Sequence, residues 1–251
     1  MEIWISGAAG HMGRAVAEQA IAEGIGIAGG FDQKSASLGF PVYRDFSAAP
    51  AGGDALIDFS SPAALEEVLN FTLSRKIPAV LCTTGYTEEQ IKAIDSASAS
   101  IPVFRSGNMS IGIALLRRLA MEAAAVLGSR FDAEIVEAHH RRKMDAPSGT
   151  ALMLRDAIRK GRPAVDMPTV CGRNGRSCKR QPDEIGIHSV RGGTVVGEHE
   201  VFFLGDSERI RIAHSAESRS VFAAGALRAA AFLIGKAPGL YDMDDMLSEI
   251  L

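Results

Sequence analysis

The chain has 251 residues and a mass of 26.6 kDa, 47% hydrophobic and 23% charged, enough for one large or two modest domains with real cores. Lys plus Arg number 27 against 30 for Asp plus Glu, a net charge of −3, which excludes the basic bias of a nucleic-acid binder and the like-charge blocks of a disordered tail. Three cysteines make no disulfide scaffold, and Cys171 and Cys178 have no second close pair to complete a zinc site, so no metal is expected. The N-terminus, MEIWISGAAGHMGR, reaches a glycine turn without a signal-peptide core, and no apolar run has membrane-spanning length. The expected location is cytoplasmic, with neither membrane nor nucleic acid as a partner.

The first half alternates short apolar runs with helical periodicity. Ile3-Trp4-Ile5 reads as a buried strand ended by Gly7, and Met12, Ala15, Val16, Ala20 and Ile21 mark one face of a helix. Residues 24–31 are expected as a second strand leading to Asp32, residues 55–59 as another, and residues 63–74 as a helix with Pro62 in its first turn. Residues 78–82 and 101–104 add two more strands, separated by a helix near 88–97. This order predicts a parallel, doubly wound sheet covered on both faces.

After Asn108 the pattern changes. Residues 111–127 read as a long helix broken by Gly128, and in 131–138 Phe131, Ala133 and Ile135 alternate with Asp132 and Glu134 until Val136, as in a strand with one polar face. A helix over 150–160 opens after Pro147-Ser148-Gly149. Residues 186–190, 194–204 and 210–215 are expected to join 131–138 in a mostly antiparallel, mixed sheet, and 221–233 returns to helix. The expected divisions are 1–108, an α+β domain over 109–215, and C-terminal helices over 216–251 that pack back on the first domain.

Gly7, Gly10 and Gly13 stand between the first strand and the first helix, in the run Gly7-Ala8-Ala9-Gly10-His11-Met12-Gly13. One glycine permits the tight turn, another lets backbone approach a pyrophosphate, and the third allows close packing of helix on strand. The free N–H groups at the helix start then hold the negative charge. Asp32 follows at about the 20-residue offset expected for a carboxylate that accepts from ribose hydroxyls. This pattern points to a Rossmann-like dinucleotide-binding domain over 1–108. Asp32 and neutral Gln33 favour NADH slightly, whereas Lys34 leaves NADPH open. Cys82-Thr83-Thr84 and Ser106-Gly107-Asn108-Met109 follow two other strands and offer polar groups to a nicotinamide or ribose. Asp58 ranks below these, because Ser60 or Ser61 is expected simply to cap the next helix.

The densest polar cluster runs from Glu137 to Thr150, EAHHRRKMDAPSGT. Two imidazoles, three cations and a helix N-terminus within fourteen residues suit a small anion, most simply a dicarboxylate. Ser148, Gly149 and Thr150 can offer a hydroxyl and backbone N–H groups to one carboxylate, with His140 and Lys143 at the other end. A solvated basic loop is the plain alternative.

The stretch EAHHRRKMDAPSGTA resembles the signature of the 4-hydroxy-tetrahydrodipicolinate reductase (dihydrodipicolinate reductase) family. The likeness extends through Gly7 to Arg14, Leu56-Ile57-Asp58-Phe59-Ser60, Thr83-Thr84-Gly85, Asn108-Met109-Ser110, Ser189-Val190-Arg191-Gly192, Val196-Gly197-Glu198-His199 and His214 to Arg219. It implies an NAD(P)H-dependent oxidoreductase of the diaminopimelate route to lysine. Its second domain would bind a cyclic dicarboxylate and build a homotetramer through its sheet. By position, the resemblance implies that His139 is a proton donor/acceptor and Lys143 a proton donor. It implies that His140 with Gly149 and Thr150 binds substrate, and that Gly7 to Met12, Asp32, Cys82 to Thr84 and Ser106 to Met109 bind cofactor.

Cys82, Ser106-Gly107 and Gln33 depart from residues common in that family, which bears on cofactor grip and preference. Arg219 is a further cofactor candidate or a helix-capping residue. His188, His199 and His214 read as structural histidines, and Arg173 and Arg176 as residues of a contact loop or lid. Two other functions fit parts of the pattern. One is a different NAD(P)-dependent reductase of an amino or imino dicarboxylate. The other, a non-catalytic nucleotide sensor, would need neither His139 nor Lys143.

Overall fold

A computed structural model describes residues 1–34 and 37–250. In chain order the elements are β1 (Glu2–Ser6), α1 (His11–Ala22), β2 (Gly26–Phe31), β3 (Val42–Tyr43), β4 (Ala55–Asp58), α2 (Leu65–Arg75), β5 (Ala79–Leu81), α3 (Glu88–Ser98) and β6 (Pro102–Arg105). Next come α4 (Ile111–Leu127), β7 (Asp132–His139), α5 (Gly149–Gly161), β8 (Thr169–Cys171), β9 (Ile185–Arg191), β10 (Gly197–Leu204) and β11 (Arg209–Ala216). The chain ends with α6 (Ser220–Leu233), β12 (Gly239–Tyr241) and α7 (Met243–Ile250). It divides into two units, Met1–Ile111 with Arg219–Leu251, and Gly112–Ser218.

The first unit carries a seven-stranded sheet in the order β12-β6-β5-β4-β1-β2-β3, parallel throughout. Successive side chains of a strand face opposite ways. Trp4, Leu56, Ala79, Leu81 and Val103 therefore enter one core with Leu65, Val68 and Phe71 of α2 and Ile94 of α3. Ile3, Ile5, Ile57, Val80 and Phe104, all fully buried, lie on the other side, where α6 packs against β4, β5 and β6 and against α1. Burial on both faces is why these strands are apolar without alternation. Full burial of Trp4 contributes on the order of 2–3 kcal/mol, and its indole Nε1 donates to the Gly52 carbonyl at 2.8 Å. Strand order reverses beside β1, so the loops after β1, β2 and β4 open together at the carboxyl edge, where α/β sheets bind ligands.

The second unit carries a mixed sheet in the order β11-β10-β7-β9-β8. Ala133, Ile135, Ile185, Ile187, Val201 and Phe203 form its core with Ile113, Leu116 and Ala120 of α4 and Leu154 and Ile158 of α5. Ser148 caps α5, its Oγ accepting from Ala151 N at 3.2 Å, as the Pro-Ser-Gly signal predicts. The sheet pairs β10 antiparallel with β7 and β11, but β9 parallel with β7 and β8. The parallel half is thus larger than the sequence suggests. β8, absent from that reading, has three residues, too few to show a period. For the same reason β12 went unseen in a segment expected to be wholly helical. The strand expected from 194 starts at Gly197, and the helix expected from 63 begins as a 3-10 turn, Pro62–Ala64.

Candidate active site

Gly7, Ala8, Ala9 and Gly10 make the turn from β1, and His11, Met12 and Gly13 open α1. Gly7 has φ +77°, and a Cβ there would lie 2.6 Å from the Phe59 carbonyl oxygen; one on Gly13 would lie 2.2 Å from the Gly7 oxygen. Both glycines are thus required by close backbone approach. Gly10, the N-cap of α1, provides no side-chain cap, which leaves the first-turn N–H groups for an anion. Asp32 holds the loop: its Oδ2 accepts from Ala9 N at 2.9 Å and its Oδ1 from Lys34 N at 2.8 Å. Gly7, Gly10, Asp32, Gln33 and Lys34 line a cleft of about 390 Å³ with Arg44, Phe46, Phe59, Ser60 and Ser61. Backbone crowding, an uncapped helix start and a carboxylate at the end of β2 fit a dinucleotide.

Thr83 and Thr84 follow β5, and Ser106, Gly107, Asn108 and Met109 follow β6. Several of these side chains face inward. Cys82 and Met109 are buried, and burial, then the Asp58 charge, pushes the Cys82 thiol up, so it stays protonated. The Ser106 hydroxyl donates to the Asn108 carbonyl at 2.7 Å. Thr83 donates to Asp58 Oδ2 at 2.6 Å, Ser60 Oγ to Asp58 Oδ1 at 2.5 Å, and Tyr86 OH to Asp58 Oδ2 at 3.4 Å. The low rank given to Asp58 is therefore corrected: neither Ser60 nor Ser61 caps the next turn, and a buried carboxylate ties together the loops after β4 and β5. Arg219 is the exposed N-cap of α6 and makes no side-chain cap.

In the second unit, β7 turns Ala133, Ile135, Glu137 and His139 to its buried side. The first two join the core, whereas Glu137 reaches the Ser148 cap of α5 and His139 lies against Glu137 and His199. Register places Arg191 of β9 beside His139, and His199 of β10 beside Glu137. Glu137 is 0% exposed. Arg191 grips it as a fork, Nη1 to Oε2 and Nη2 to Oε1, both at 2.7 Å, while Ser148 N donates to Oε1 at 3.1 Å. Burial by itself raises the carboxyl pKa, but Arg191, Ser189, His139 and Ser148 outweigh it and hold the group at about 2.

His139 Nδ1 lies 2.6 Å from Glu137 Oε2. Burial lowers its pKa, Glu137 opposes that, and the Lys143 and Arg191 charges add to the lowering, so the ring is neutral at pH 7. Lys143 pairs with Asp145 at 2.8 Å, and Arg191 Nη2 donates to the Asp145 carbonyl at 2.6 Å. His140 Nδ1 is buried without a hydrogen-bond partner. Ser148 is 1% exposed and its Oγ lies 3.1 Å from His199 Nε2, so that hydroxyl is engaged inside the protein. Gly149 is exposed and Thr150 half-buried at the first turn of α5.

Sequence reasoning missed Glu137, Arg191 and His199 as site residues. His199 is corrected from a satisfied structural histidine: it meets the His139 ring edge-on at 5.1 Å, and its Nδ1 is buried without a partner. Burial and then the His139 charge depress its pKa to about 3. A carboxylate at a core-facing position of β7 was the available signal. His188 is satisfied, its Nε2 2.8 Å from Glu134 Oε2. Arg173 pairs with Glu134 and Glu184, which pins its loop to the sheet and corrects the lid reading for that residue. Among the described residues no His, Cys, Asp and Glu group suits a metal ion, and no helix is long and apolar enough to cross a membrane.

A parallel sheet with a glycine-rich cleft at its carboxyl edge, and a second unit that carries His139 and Lys143 at the end of its sheet, mark a nucleotide-dependent oxidoreductase of Rossmann-like fold. Family models for the dihydrodipicolinate reductase N-terminus and C-terminus match residues 1–109 and 112–247. The chain belongs to the dihydrodipicolinate reductase family. It is 49% identical to the 4-hydroxy-tetrahydrodipicolinate reductase of Caldanaerobacter subterraneus subsp. tengcongensis, covering 98% of this chain and 97% of that one. It is 44% identical to the enzyme of the same name from Clostridium novyi, covering 98% of each. The dipicolinate-bound dihydrodipicolinate reductase from Paenisporosarcina sp. TG-14 shares the fold, with a TM-score of 0.79 and 24% identity over 96% of this chain and 97% of that chain.

Proposed function

We propose that this chain reduces (2S,4S)-4-hydroxy-2,3,4,5-tetrahydrodipicolinate, through its dehydrated conjugated imine, to (S)-2,3,4,5-tetrahydrodipicolinate in the diaminopimelate route to lysine. One observation carries the reading. His139, Lys143 and the N-terminus of α5 gather at one end of the second sheet, in a chain that aligns end to end with relatives of that name. Overall, one water leaves the ring, and one hydride and one proton are added.

Gly7 to Gly13 would hold the pyrophosphate and Asp32 the adenosine ribose, with Gln33 and Lys34 beside it. Thr83, Thr84 and the backbone of Cys82 and of Ser106 to Met109 would meet the nicotinamide half, with Arg219 a surface contact. A reduced nicotinamide held there would supply the hydride for C4. NADH is slightly favoured, because the Asp32 charge opposes a 2′-phosphate; Lys34 and Arg44 in the same cleft keep NADPH usable. The N–H groups of Gly149 and Thr150 and the half-buried His140 ring would bind the two carboxylates. Ser148 holds that helix start in place through its cap. Lys143 donates a proton, and His139 exchanges one, near neutral pH.

Residues 1–108 serve as the dinucleotide-binding domain, 109–215 as the substrate domain, and 216–251 as the C-terminal segment returning to the first. The uncovered face of the second sheet exposes Val190 and Leu204, which supports self-association there as a homotetramer. A cytoplasmic home follows from the nicotinamide cofactor and the small free-cysteine complement. The testing experiment is oxidation of NADH and NADPH, in parallel, with freshly generated 4-hydroxy-tetrahydrodipicolinate. Cofactor absorbance is expected to fall only with both substrate and protein present. No consumption by folded protein that still binds cofactor would overturn the reading in favour of another imino-dicarboxylate reductase.

A further inference from the structure

Glu137 has no contact to offer a ligand, because all its acceptor capacity is turned inward. Its Oε1 takes Arg191 Nη2 and Ser148 N, and its Oε2 takes Arg191 Nη1 and faces His139 Nδ1. A carboxylate forked by a guanidinium stays ionised and is acceptor-only. The proton on the short Glu137–His139 contact must then sit on Nδ1, which leaves the Nε2 lone pair outward. Nothing among the described residues hydrogen-bonds His139 Nε2. The residue facing it is Gly197, where a Cβ would stand 3.1 Å away, so glycine keeps that approach clear.

The other charged or titratable groups around the ring act in the same direction. Lys143 from the following loop and Arg191 from β9 disfavour an imidazolium, and His199 from β10, buried against the ring edge, adds no charge of its own at neutral pH. Glu137 is the one anion beside the ring among them.

We propose that Glu137, clamped by Arg191, is a positioning residue that fixes His139 as the Nδ1–H tautomer, so that Nε2 is the atom exchanging protons with substrate. This inference rests on the reductase reading above and assigns the proton steps within it. Nε2 takes the C5 proton as the C4–O bond breaks; the C5–H pair becomes the C4=C5 bond, and the hydroxide leaves as water with a proton from Lys143. When C4 receives its hydride from the reduced nicotinamide, the displaced pair returns to C5. The Nδ1,Nε2-protonated ring then gives its Nε2 proton back to C5. Glu137 stabilises that transient imidazolium without taking its proton, as an orienting carboxylate does in other histidine-based sites.

The test uses nitrogen NMR on the free protein and kinetics on Glu137→Gln. In the unsubstituted protein at pH 7.5, His139 is expected to show a protonated Nδ1 and an unprotonated Nε2; the reverse pattern would overturn the proposal. A folded E137Q protein is expected to lose about 100-fold in kcat, with little change in KM for the cofactor. The acid limb of its kcat/KM profile should move to lower pH, because the anion favouring imidazolium is gone. A folded E137Q enzyme with kcat within twofold and an unmoved acid limb would also overturn it. If E137Q does not fold, the tautomer reading of the unsubstituted protein decides alone. Since that reading needs no substrate, it separates failure of this inference from failure of the reductase assignment, which unsubstituted turnover judges.

Discussion

A Cβ on Gly225 would stand 1.7 Å from the carbonyl oxygen of Met109, so α6 lies directly on the backbone of the loop that follows β6. Met109 is 2% exposed beneath it. The last long helix of the chain thereby shapes a loop assigned to the nicotinamide half of the cofactor.

Gly225→Ala pits helix propensity against this contact. Alanine favours a helix interior by about 1 kcal/mol, whereas a methyl group inside backbone contact distance costs about 2–3 kcal/mol through forced shifts. The clash wins. The urea midpoint should fall at constant m-value, and the KM for reduced cofactor should rise several-fold, while a gain in stability would show that α6 can move away at no cost.

Asp32 supplies both charge and a loop anchor, and Asp32→Asn separates them. The amide oxygen can still accept from Ala9 N, so the glycine turn persists, but the repulsion of a 2′-phosphate disappears. The ratio of kcat/KM for NADPH over NADH is expected to rise about 10-fold, the size of a charge effect at a partly exposed site. An unchanged ratio would transfer cofactor choice to Lys34 or Arg44.

Lys143→Ala tests the proposed proton donor. Its partner Asp145 has a side chain 57% exposed, and such a surface pair contributes about 0–1 kcal/mol. The melting temperature should therefore barely move while kcat drops about 100-fold or more. Full turnover at saturating substrate would remove Lys143 from the chemistry.

Acid should destabilise the second unit in two stages. His199 is held at about 3 against an ordinary 6.5; the unfolded chain binds the proton first, so stability is full above about pH 6.5 and declines as pH falls toward 3. Glu137 is held at about 2 against 4.5, and its contribution, about 3 kcal/mol from the size of the shift, declines between pH 4.5 and 2. Denaturant midpoints measured from pH 8 to 3 should show the first decline, and His199→Gln should flatten it. A flat profile in the unsubstituted protein would mean that His199 is not buried neutral.

The sequence by itself determined what is local. The glycine spacing between Ile5 and Arg14 dictates a tight turn into a helix, because only glycine tolerates the backbone approaches at Gly7 and Gly13. The order of apolar runs dictates a parallel sheet, and the unbroken segment from Glu137 to Thr150 places His139, Lys143 and a helix start within one loop's reach. The family resemblance was legible on the same contiguous residues.

Only the tertiary structure decided which distant groups complete the sites. Arg191 reaches Glu137 from another strand, across 54 positions of chain, and Thr83 reaches Asp58 across 25; both pairs depend on strand order and register, which leave no local trace. The role of Glu137 was hidden for a related reason. The alternation of Phe131, Ala133 and Ile135 points position 137 inward, but a lone buried carboxylate is too costly to keep charged, so that placement makes sense only once its partner is known. Strand register supplies the arginine that makes it affordable, and folding then turns a polar residue into the buried anchor of His139.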